Sequence, residues 1–161
     1  MADLDTPLPF YVERLQRNRY VDWLIGFADW THAVTVTFQR LRSGSPPSKS
    51  ATIKATAHFI SVLNRKLLGR NRGKRDAKIP CAAVWGSGLY GDNPHVHLAL
   101  QSPANLSYGD MVLAIESAIH RTRGIGFEND IQPYTSDGWL SYMVDHGTDY
   151  LLIELISPAK H

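Results

Sequence analysis

The chain has 161 residues, a length typical of one domain. Hydrophobic residues make up 43% and charged residues 20% of it, which supports a packed core and excludes a disordered or fibrous chain. The single cysteine, Cys81, excludes an internal disulfide and a multi-thiolate zinc site, and it favours a reducing, cytoplasmic compartment. With no apolar run of about 18 residues and an acidic start, we expect a soluble protein that is not exported and has no membrane partner.

The net charge of +2 is the sum of two unlike halves. Residues 1–78 carry 14 basic against 6 acidic side chains, whereas residues 79–161 carry 3 against 9. The basic excess is concentrated in seven residues, which are Arg65, Lys66, Arg70, Arg72, Lys74, Arg75 and Lys78. Such a run predicts contacts with the phosphates of a nucleic acid. A solvated loop with no partner is the alternative interpretation.

The first elements follow from apolar spacing. Residues 9–29 have helical spacing and predict an amphipathic helix whose apolar stripe includes Leu15 and Trp23. We place this N-terminal helix within residues 1–30. Residues 31–38 are β-branched and alternating, which predicts a strand with one buried face.

A second helix is expected after a loop rich in serine and proline. It runs over residues 51–68, with Ser48 or Ser50 as the N-cap and Gly69 at its end. The basic loop, residues 69–78, follows it.

The central part of the chain predicts a hairpin. Apolar residues 79–85 and 95–100 flank a turn rich in glycine, so residues 79–101 form two antiparallel strands. Ser107 then caps a helix that extends to about His120.

The last third predicts a strand over residues 127–134 and a helix over residues 138–146 that opens at Ser136-Asp137 and lies within 136–147. Residues 150–156 are apolar, and their spacing leaves strand or helix open. The element order therefore predicts an α+β fold, a single-domain antiparallel sheet with helices packed on it.

Two histidines stand two residues apart in the second strand of the hairpin. Because side chains alternate along a strand, His95 and His97 project from one face, and the apolar Val96, Leu98 and Leu100 project from the other. Two neighbouring imidazoles suit a divalent metal with open positions for a phosphate. A pair of ordinary polar residues facing solvent is the alternative.

Tyr142 lies on the last helix, on one stripe with Trp139 and Met143. A core aromatic is one interpretation. The other is a nucleophile that attacks a phosphodiester while a metal polarises the phosphate, since an unperturbed phenol, with a pKa of about 10, needs such help at neutral pH.

Taken in order, these motifs resemble the HUH endonucleases, in particular the rolling-circle replication initiators of plasmids, phages and mobile elements. Val34-Thr35-Val36-Thr37-Phe38 resembles the first motif of that family, and His95-Val96-His97 resembles the histidine-hydrophobic-histidine motif that names it. Trp139-Leu140-Ser141-Tyr142 resembles the nucleophile motif. Residues 63–70 also resemble the basic helix end found before the hairpin in some plasmid and phage-like members.

The resemblance implies a fold, a reaction and partners. It implies an RRM-like or ferredoxin-like sheet in which His95 and His97 hold Mg²⁺ or Mn²⁺ and Tyr142 nicks single-stranded or hairpin DNA. A 5′-phosphotyrosyl intermediate and a free 3′-hydroxyl would result. Because 161 residues leave no room for a motor, replication would rely on a helicase and a polymerase of the host.

The sequence departs from the family pattern at two places. Members usually carry lysine three residues after the tyrosine, where this chain has Asp145. They also carry a polar third ligand on the strand before the histidines, where this chain has Ala82-Ala83-Val84-Trp85; Asp92, Asp145 and His146 are the substitutes. Tyr134 and Tyr150 are further candidate nucleophiles. The alternative functions are a non-catalytic DNA-binding or regulatory protein on the same fold and a protein-interaction module.

Overall fold

A computed structural model describes residues 9–69, 78–88, 91–145, 151–157 and 159. The helices are α1 (Pro9–Ile25), α2 (Lys49–Leu68), α3 (Tyr108–Arg121) and α4 (Gly138–Val144), and the strands are β1 (His32–Thr37), β2 (Cys81–Gly86), β3 (His95–Leu100) and β4 (Asp130–Pro133). The strands form one antiparallel sheet in the order β2-β3-β1-β4. The predicted α+β class is confirmed.

The central six elements follow the order β1-α2-β2-β3-α3-β4. Together with the strand order, this βαββαβ arrangement is compatible with a ferredoxin-like fold. All six residues of β2 pair with β3, so the predicted hairpin is confirmed. Of the helices that the structure describes, none is long and apolar enough to cross a membrane.

Helices cover both faces of the sheet. On one face, α2 and α3 bury the main core, which includes Val34, Val36, Phe59, Leu63, Val96, Leu98, Leu100, Met111 and Ile115. On the other face, α1 and α4 bury a smaller cluster of Leu24, Trp30, Ala82, Val84, Ala99, Leu140, Met143, Val144 and Leu151. The prediction that β1 has only one buried face is wrong, because Ala33 is buried on the second face as well.

Side-chain caps start two of the helices as the sequence indicates. The Ser48 hydroxyl accepts a hydrogen bond from the Ala51 backbone N–H at 3.1 Å, so Ser48, and not Ser50, caps α2. Ser107 caps α3 in the same way through Asp110. Gly69 follows the last residue of α2 with φ of +56°, a conformation that favours glycine.

Two sequence-based boundaries shift. Helix α1 ends at Ile25, and its expected stripe is confirmed only in part, since Leu24 is buried but Leu15 and Trp23 are exposed. Leu24 packs in the cluster on the second sheet face, with Tyr20 and Val21 partly buried against it, and the contacts of α1 there are mainly with α4. Strand β4 begins at Asp130, three residues later than predicted, because residues 125–129 form a loop against the end of β1.

The chain end adds backbone bonds to the β2 edge. Of the segment 150–156, whose spacing leaves strand or helix open, residues 153–155 form one turn of 3-10 helix and Leu151 forms an isolated bridge, while residue 150 lies outside the described residues. Leu151 bridges to Val84, and Ser157 exchanges two backbone hydrogen bonds with Cys81. Burial raises the pKa of the Cys81 thiol to about 12, so this residue is an inert part of the core.

Candidate functional site

The two histidines of β3 lie side by side on the sheet face that α1 and α4 cover. Their ring centroids are 4.7 Å apart. His97 is only 3% exposed, whereas His95 is half-buried. Val96, Leu98 and Leu100 are buried on the opposite face, as the alternation predicts. The alternative of a polar pair facing solvent does not hold for His97, because the Trp139 and Tyr142 rings of α4 lie over it.

Helix α4 is held on β3 by a bond that fixes its position along the strand. The indole Nε1 of Trp139 donates a hydrogen bond to the Leu98 carbonyl at 3.1 Å, while Leu140 and Met143 are buried beneath the helix. This places the Tyr142 ring 5.0 Å and the Trp139 ring 5.3 Å from the His97 ring, centroid to centroid. Tyr142 is 52% exposed, so it is not a core aromatic. The structure therefore brings His95, His97 and Tyr142 together.

Each imidazole is oriented through its Nδ1 atom. His95 Nδ1 lies 2.9 Å from the Asn93 carbonyl, which can only accept, so this nitrogen carries the proton. His97 Nδ1 lies 2.9 Å from the hydroxyl of Thr35, its register partner on β1. With Nδ1 engaged in both rings, Nε2 is the nitrogen that each ring would present to a metal.

Gly86 makes room for His95. The two residues are register partners, and a Cβ atom at position 86 would lie 2.6 Å from His95 Nε2. Only glycine leaves the imidazole in its present position above β2.

The donor set fits a divalent metal ion with several open positions. Two oriented imidazoles should bind Mn²⁺ more tightly than Mg²⁺, because Mg²⁺ prefers oxygen ligands to imidazole nitrogens. Strand β2 offers no third donor, since Val84 stands opposite His97 and Gly86 opposite His95. Within the described part of the chain, no three His, Cys, Asp or Glu side chains gather closely enough to share a metal ion.

The suggested substitute ligands lie elsewhere or outside the described residues. The Asp145 carboxylate forms an ion pair with Arg17 of α1 at 3.2 Å. Asp92 is exposed in the hairpin loop, where its backbone carbonyl accepts from Arg40. His146 lies outside the described residues.

The ion pair of Asp145 bears on the missing lysine of the family pattern. Position 145 carries a negative charge, but the Arg17 guanidinium supplies a positive charge beside it from another helix. A cation is therefore present near α4, although it does not come from the position at which the family has one.

Of the other candidate nucleophiles, Tyr134 is held in its neutral form. Burial and a hydrogen bond from its hydroxyl to Asp137 at 2.7 Å raise the pKa of the Tyr134 phenol, since the carboxylate opposes a second negative charge. Tyr134 also pairs with Thr31, four positions along β1 from the His97 partner Thr35. At about 3.3 Å per residue, this is roughly 13 Å. Tyr150 lies outside the described residues.

Of the basic residues predicted to contact phosphates, those that the structure describes do not lie near the histidines. Arg65, Lys66 and Lys78 are exposed near Ile79, the residue to which α2 is tied through Asn64. Gly86, at the other end of β2, is the partner of His95, and seven residues of strand span about 23 Å. Arg70, Arg72, Lys74 and Arg75 lie outside the described residues.

The sequence interpretation assigned no role to three residues that shape the site. These are Thr35, Gly86 and Asn93. A signal existed for Thr35, because alternation along β1 places it on the same face as Ala33, with one polar side chain between buried neighbours. No sequence signal marks the other two, since their roles depend on strand register and loop position.

The chain matches no protein-family model, no curated protein and no solved structure.

Proposed function

We propose that the protein is a metal-dependent nuclease that nicks single-stranded DNA through a covalent tyrosine intermediate, as in rolling-circle replication or mobilisation. The observation that supports this most directly is the placement of the Tyr142 ring 5.0 Å from the His97 ring, with His95 adjacent. A half-exposed tyrosine beside two oriented imidazoles is the minimum that such a reaction needs.

The proposed reaction exchanges one phosphoester bond for another. The phenol oxygen of Tyr142 attacks the scissile phosphorus, and the bond from phosphorus to the 3′-oxygen breaks. The phenol proton leaves through solvent, and the departing 3′-oxygen takes up a proton. The products are a 5′-phosphotyrosine and a free 3′-hydroxyl, with no oxidant or energy source required. Reversal with another 3′-hydroxyl transfers the strand.

The residues around the tyrosine have distinct parts in this proposal. His95 and His97 would hold Mg²⁺ or Mn²⁺, which when bound would supply Lewis-acid polarisation of the phosphate oxygen. Thr35 and the Asn93 carbonyl keep the two rings turned so that Nε2 is presented. Trp139 fixes the distance of α4 from β3 and thereby the distance of Tyr142 from the metal ligands.

The decisive experiment looks for the covalent adduct. The purified protein is incubated with Mn²⁺ and a pool of labelled single-stranded and hairpin DNAs, and then separated under denaturing conditions. We expect a labelled band at the mass of protein plus DNA, which disappears with EDTA and with Tyr142→Phe. Mass spectrometry of the digested adduct should locate the phosphate on Tyr142.

Tyr134→Phe is the matched control. It removes the phenol hydroxyl of Tyr134, whose pKa is raised. Because this phenol is not the proposed nucleophile, adduct formation should continue. An adduct that survives Tyr142→Phe would assign the nucleophile elsewhere. The absence of any adduct across the whole pool would reject the nuclease.

A second candidate function is a DNA-binding or regulatory protein that keeps the fold without cutting. The specific observation in its favour is the β2 strand, which places Val84 and Gly86 where a third ligand is expected. This candidate predicts retained binding of single-stranded DNA, with salt-dependent affinity, but no adduct. The same labelled DNA, followed by binding in native conditions, distinguishes the two functions.

A further inference from the structure

The Phe127 loop, residues 125–129, is fixed to the end of β1 at both of its ends. The Gly126 N–H donates to the Thr37 carbonyl at 2.8 Å, and Ile125 forms a bridge with Phe38. The Asn129 side chain accepts from the Thr37 N–H at 2.9 Å and donates to the Gly126 carbonyl at 2.8 Å. Four contacts in so short a loop hold its tip in one position.

That tip presents an aromatic ring to solvent. Phe127 is 88% exposed, although the neighbouring Ile125 and Gly126 are buried. Gly126 has no room for a side chain, since a Cβ atom there would lie 2.9 Å from the Thr37 hydroxyl oxygen. The loop therefore packs Gly126 against β1 and directs Phe127 into solvent, where its ring contributes nothing to the hydrophobic core.

Beside the ring lies a groove between the end of α3 and the β4 side of the sheet. Its volume is about 390 Å³, enough for one nucleobase. Ile119 and His120 of α3 and Ile131 of β4 line it, together with Arg123, which follows the end of α3. The groove is thus lined by both apolar and polar side chains, with the polar surface predominating.

The charges around the groove favour a neutral group over a phosphate. Arg123 and His120 face it, but so does the carboxylate of Glu116, and Glu128 follows Phe127 in the chain. A nucleobase suits this mixture, since it is uncharged, stacks on a phenyl face and carries donors and acceptors at its edge.

The loop meets the candidate active site at the end of β1, although its groove opens on the α3 face of the sheet and the histidines lie on the α4 face. Thr37, to which the loop is bonded, is the register partner of His95. A single strand held at His95, His97 and Tyr142 would turn around the end of β1, from the α4 face to the α3 face, to reach Phe127.

We propose that Phe127 is a stacking platform for one base of the single-stranded DNA whose phosphate lies at Tyr142. The proposal rests on the proposed function, because it assigns a second contact on the same strand. Arg123 lies beside the platform, where it reaches the sugar-phosphate of the stacked nucleotide.

The test separates base contacts from phosphate contacts. The Tyr142→Phe protein cannot form the covalent adduct with DNA. Its binding to two probes of about 20 nucleotide units is measured by fluorescence anisotropy. One probe is oligothymidylate, and the other is an abasic phosphodiester chain of equal length and charge. Adding Phe127→Ala should weaken oligothymidylate binding about tenfold and leave the abasic chain unchanged.

Two further variants complete the design. Phe127→Trp keeps the stacking face and should retain or raise the affinity for oligothymidylate. Leu113→Ala removes another exposed apolar side chain, 63% exposed on α3, and should have no effect. Unchanged oligothymidylate binding in Phe127→Ala, or an equal loss on both probes, would overturn the platform while leaving the nuclease proposal intact. Failure of the Tyr142→Phe protein to bind either probe would reject both.

Discussion

Individual contacts of one or two atoms determine how the histidine pair is presented. Thr35 engages one ring, the Asn93 carbonyl engages the other, and the missing side chain of Gly86 leaves the space that His95 occupies. None of these residues is a metal ligand in the proposed site, yet such surrounding groups typically change metal affinity by about 10–100-fold. The orientation of the site therefore depends on residues beyond the three that carry the chemistry.

Gly86→Ala tests this orientation without disturbing the fold. The added Cβ atom meets the end of the His95 ring, which can rotate away, and Gly86 has an ordinary φ that alanine adopts. We expect Mn²⁺ affinity, measured by isothermal titration calorimetry, to fall about tenfold or more, with an unchanged circular dichroism spectrum. Gly26→Ala, whose added Cβ atom meets only ordinary contacts from 3.8 Å outward, is the control and should bind Mn²⁺ like the wild type. Equal affinities in the two variants would contradict this role of Gly86.

At the scale of elements, local sequence patterns predict what is locally determined. Serine caps mark the starts of α2 and α3, and a glycine marks the end of α2. These signals are readable because capping depends only on nearby backbone groups. The hairpin follows from two apolar runs around a glycine-rich turn. Even the shared face of His95 and His97 follows, because alternation along a strand is a property of the backbone.

Long-range packing explains what the patterns could not predict. The contact of Tyr142 with His97 depends on α4 being seated by the Trp139 bond to Leu98, a partner 41 residues away. The exposure of Trp23 and Leu15 depends on how little of α1 the second sheet face covers. The boundary of β4 depends on the bonds of Asn129 and Gly126 to Thr37. Each of these is set by a distant partner that apolar periodicity does not identify.

Asn64 joins two elements through one buried side chain, and its removal should destabilise the fold. Its amide donates to the Ile60 carbonyl at 3.0 Å within α2, and its oxygen accepts from the Ile79 N–H at 2.7 Å just before β2. Asn64→Ala leaves the buried Ile79 N–H without this acceptor, which costs about 1–3 kcal/mol of unfolding free energy. Urea denaturation measures the loss. Asn105→Ala, at an exposed position, should change the unfolding free energy little; a similar loss in both variants would argue against the buried bond.

At the scale of the whole molecule, both edge strands of the sheet are poorly placed to pair with a further strand. Strand β4 is four residues long and ends at Pro133, which has no N–H to offer, so it is a poor template for further strands. The β2 edge is bonded to residues 152 and 157 of the chain end. With both faces covered by helices as well, the exposed polar residues of the described strands are Asp130 and Gln132 on the β4 edge, while His95 and Thr37 are half-buried.

His32 lies within this fold as a buried neutral group whose ionisation is linked to global unfolding. It is 1% exposed, its Nδ1 lies 2.8 Å from the Thr31 hydroxyl, and its ring stacks on Tyr108 with centroids 4.5 Å apart. Burial lowers the pKa of His32 below its ordinary value of 6.5, an effect only partly offset by the Tyr108 carbonyl. The unfolded chain, in which the ring is solvated, binds a proton more readily than the native state.

The free energy of unfolding should therefore fall as the pH decreases. Above pH 6.5, the ordinary pKa, both states hold His32 neutral and its contribution is complete; below that value the unfolded chain takes up the proton first, and the contribution is lost progressively. Urea denaturation between about pH 7 and 5 measures the slope, which should be smaller in His32→Gln than in the wild type because the substituted side chain does not titrate. NMR titration of His32 in the wild-type protein provides an independent measurement that needs no variant. A His32 pKa at or above 6.5, or identical slopes in the two proteins, would show that burial of this ring does not couple protonation to the stability of the fold.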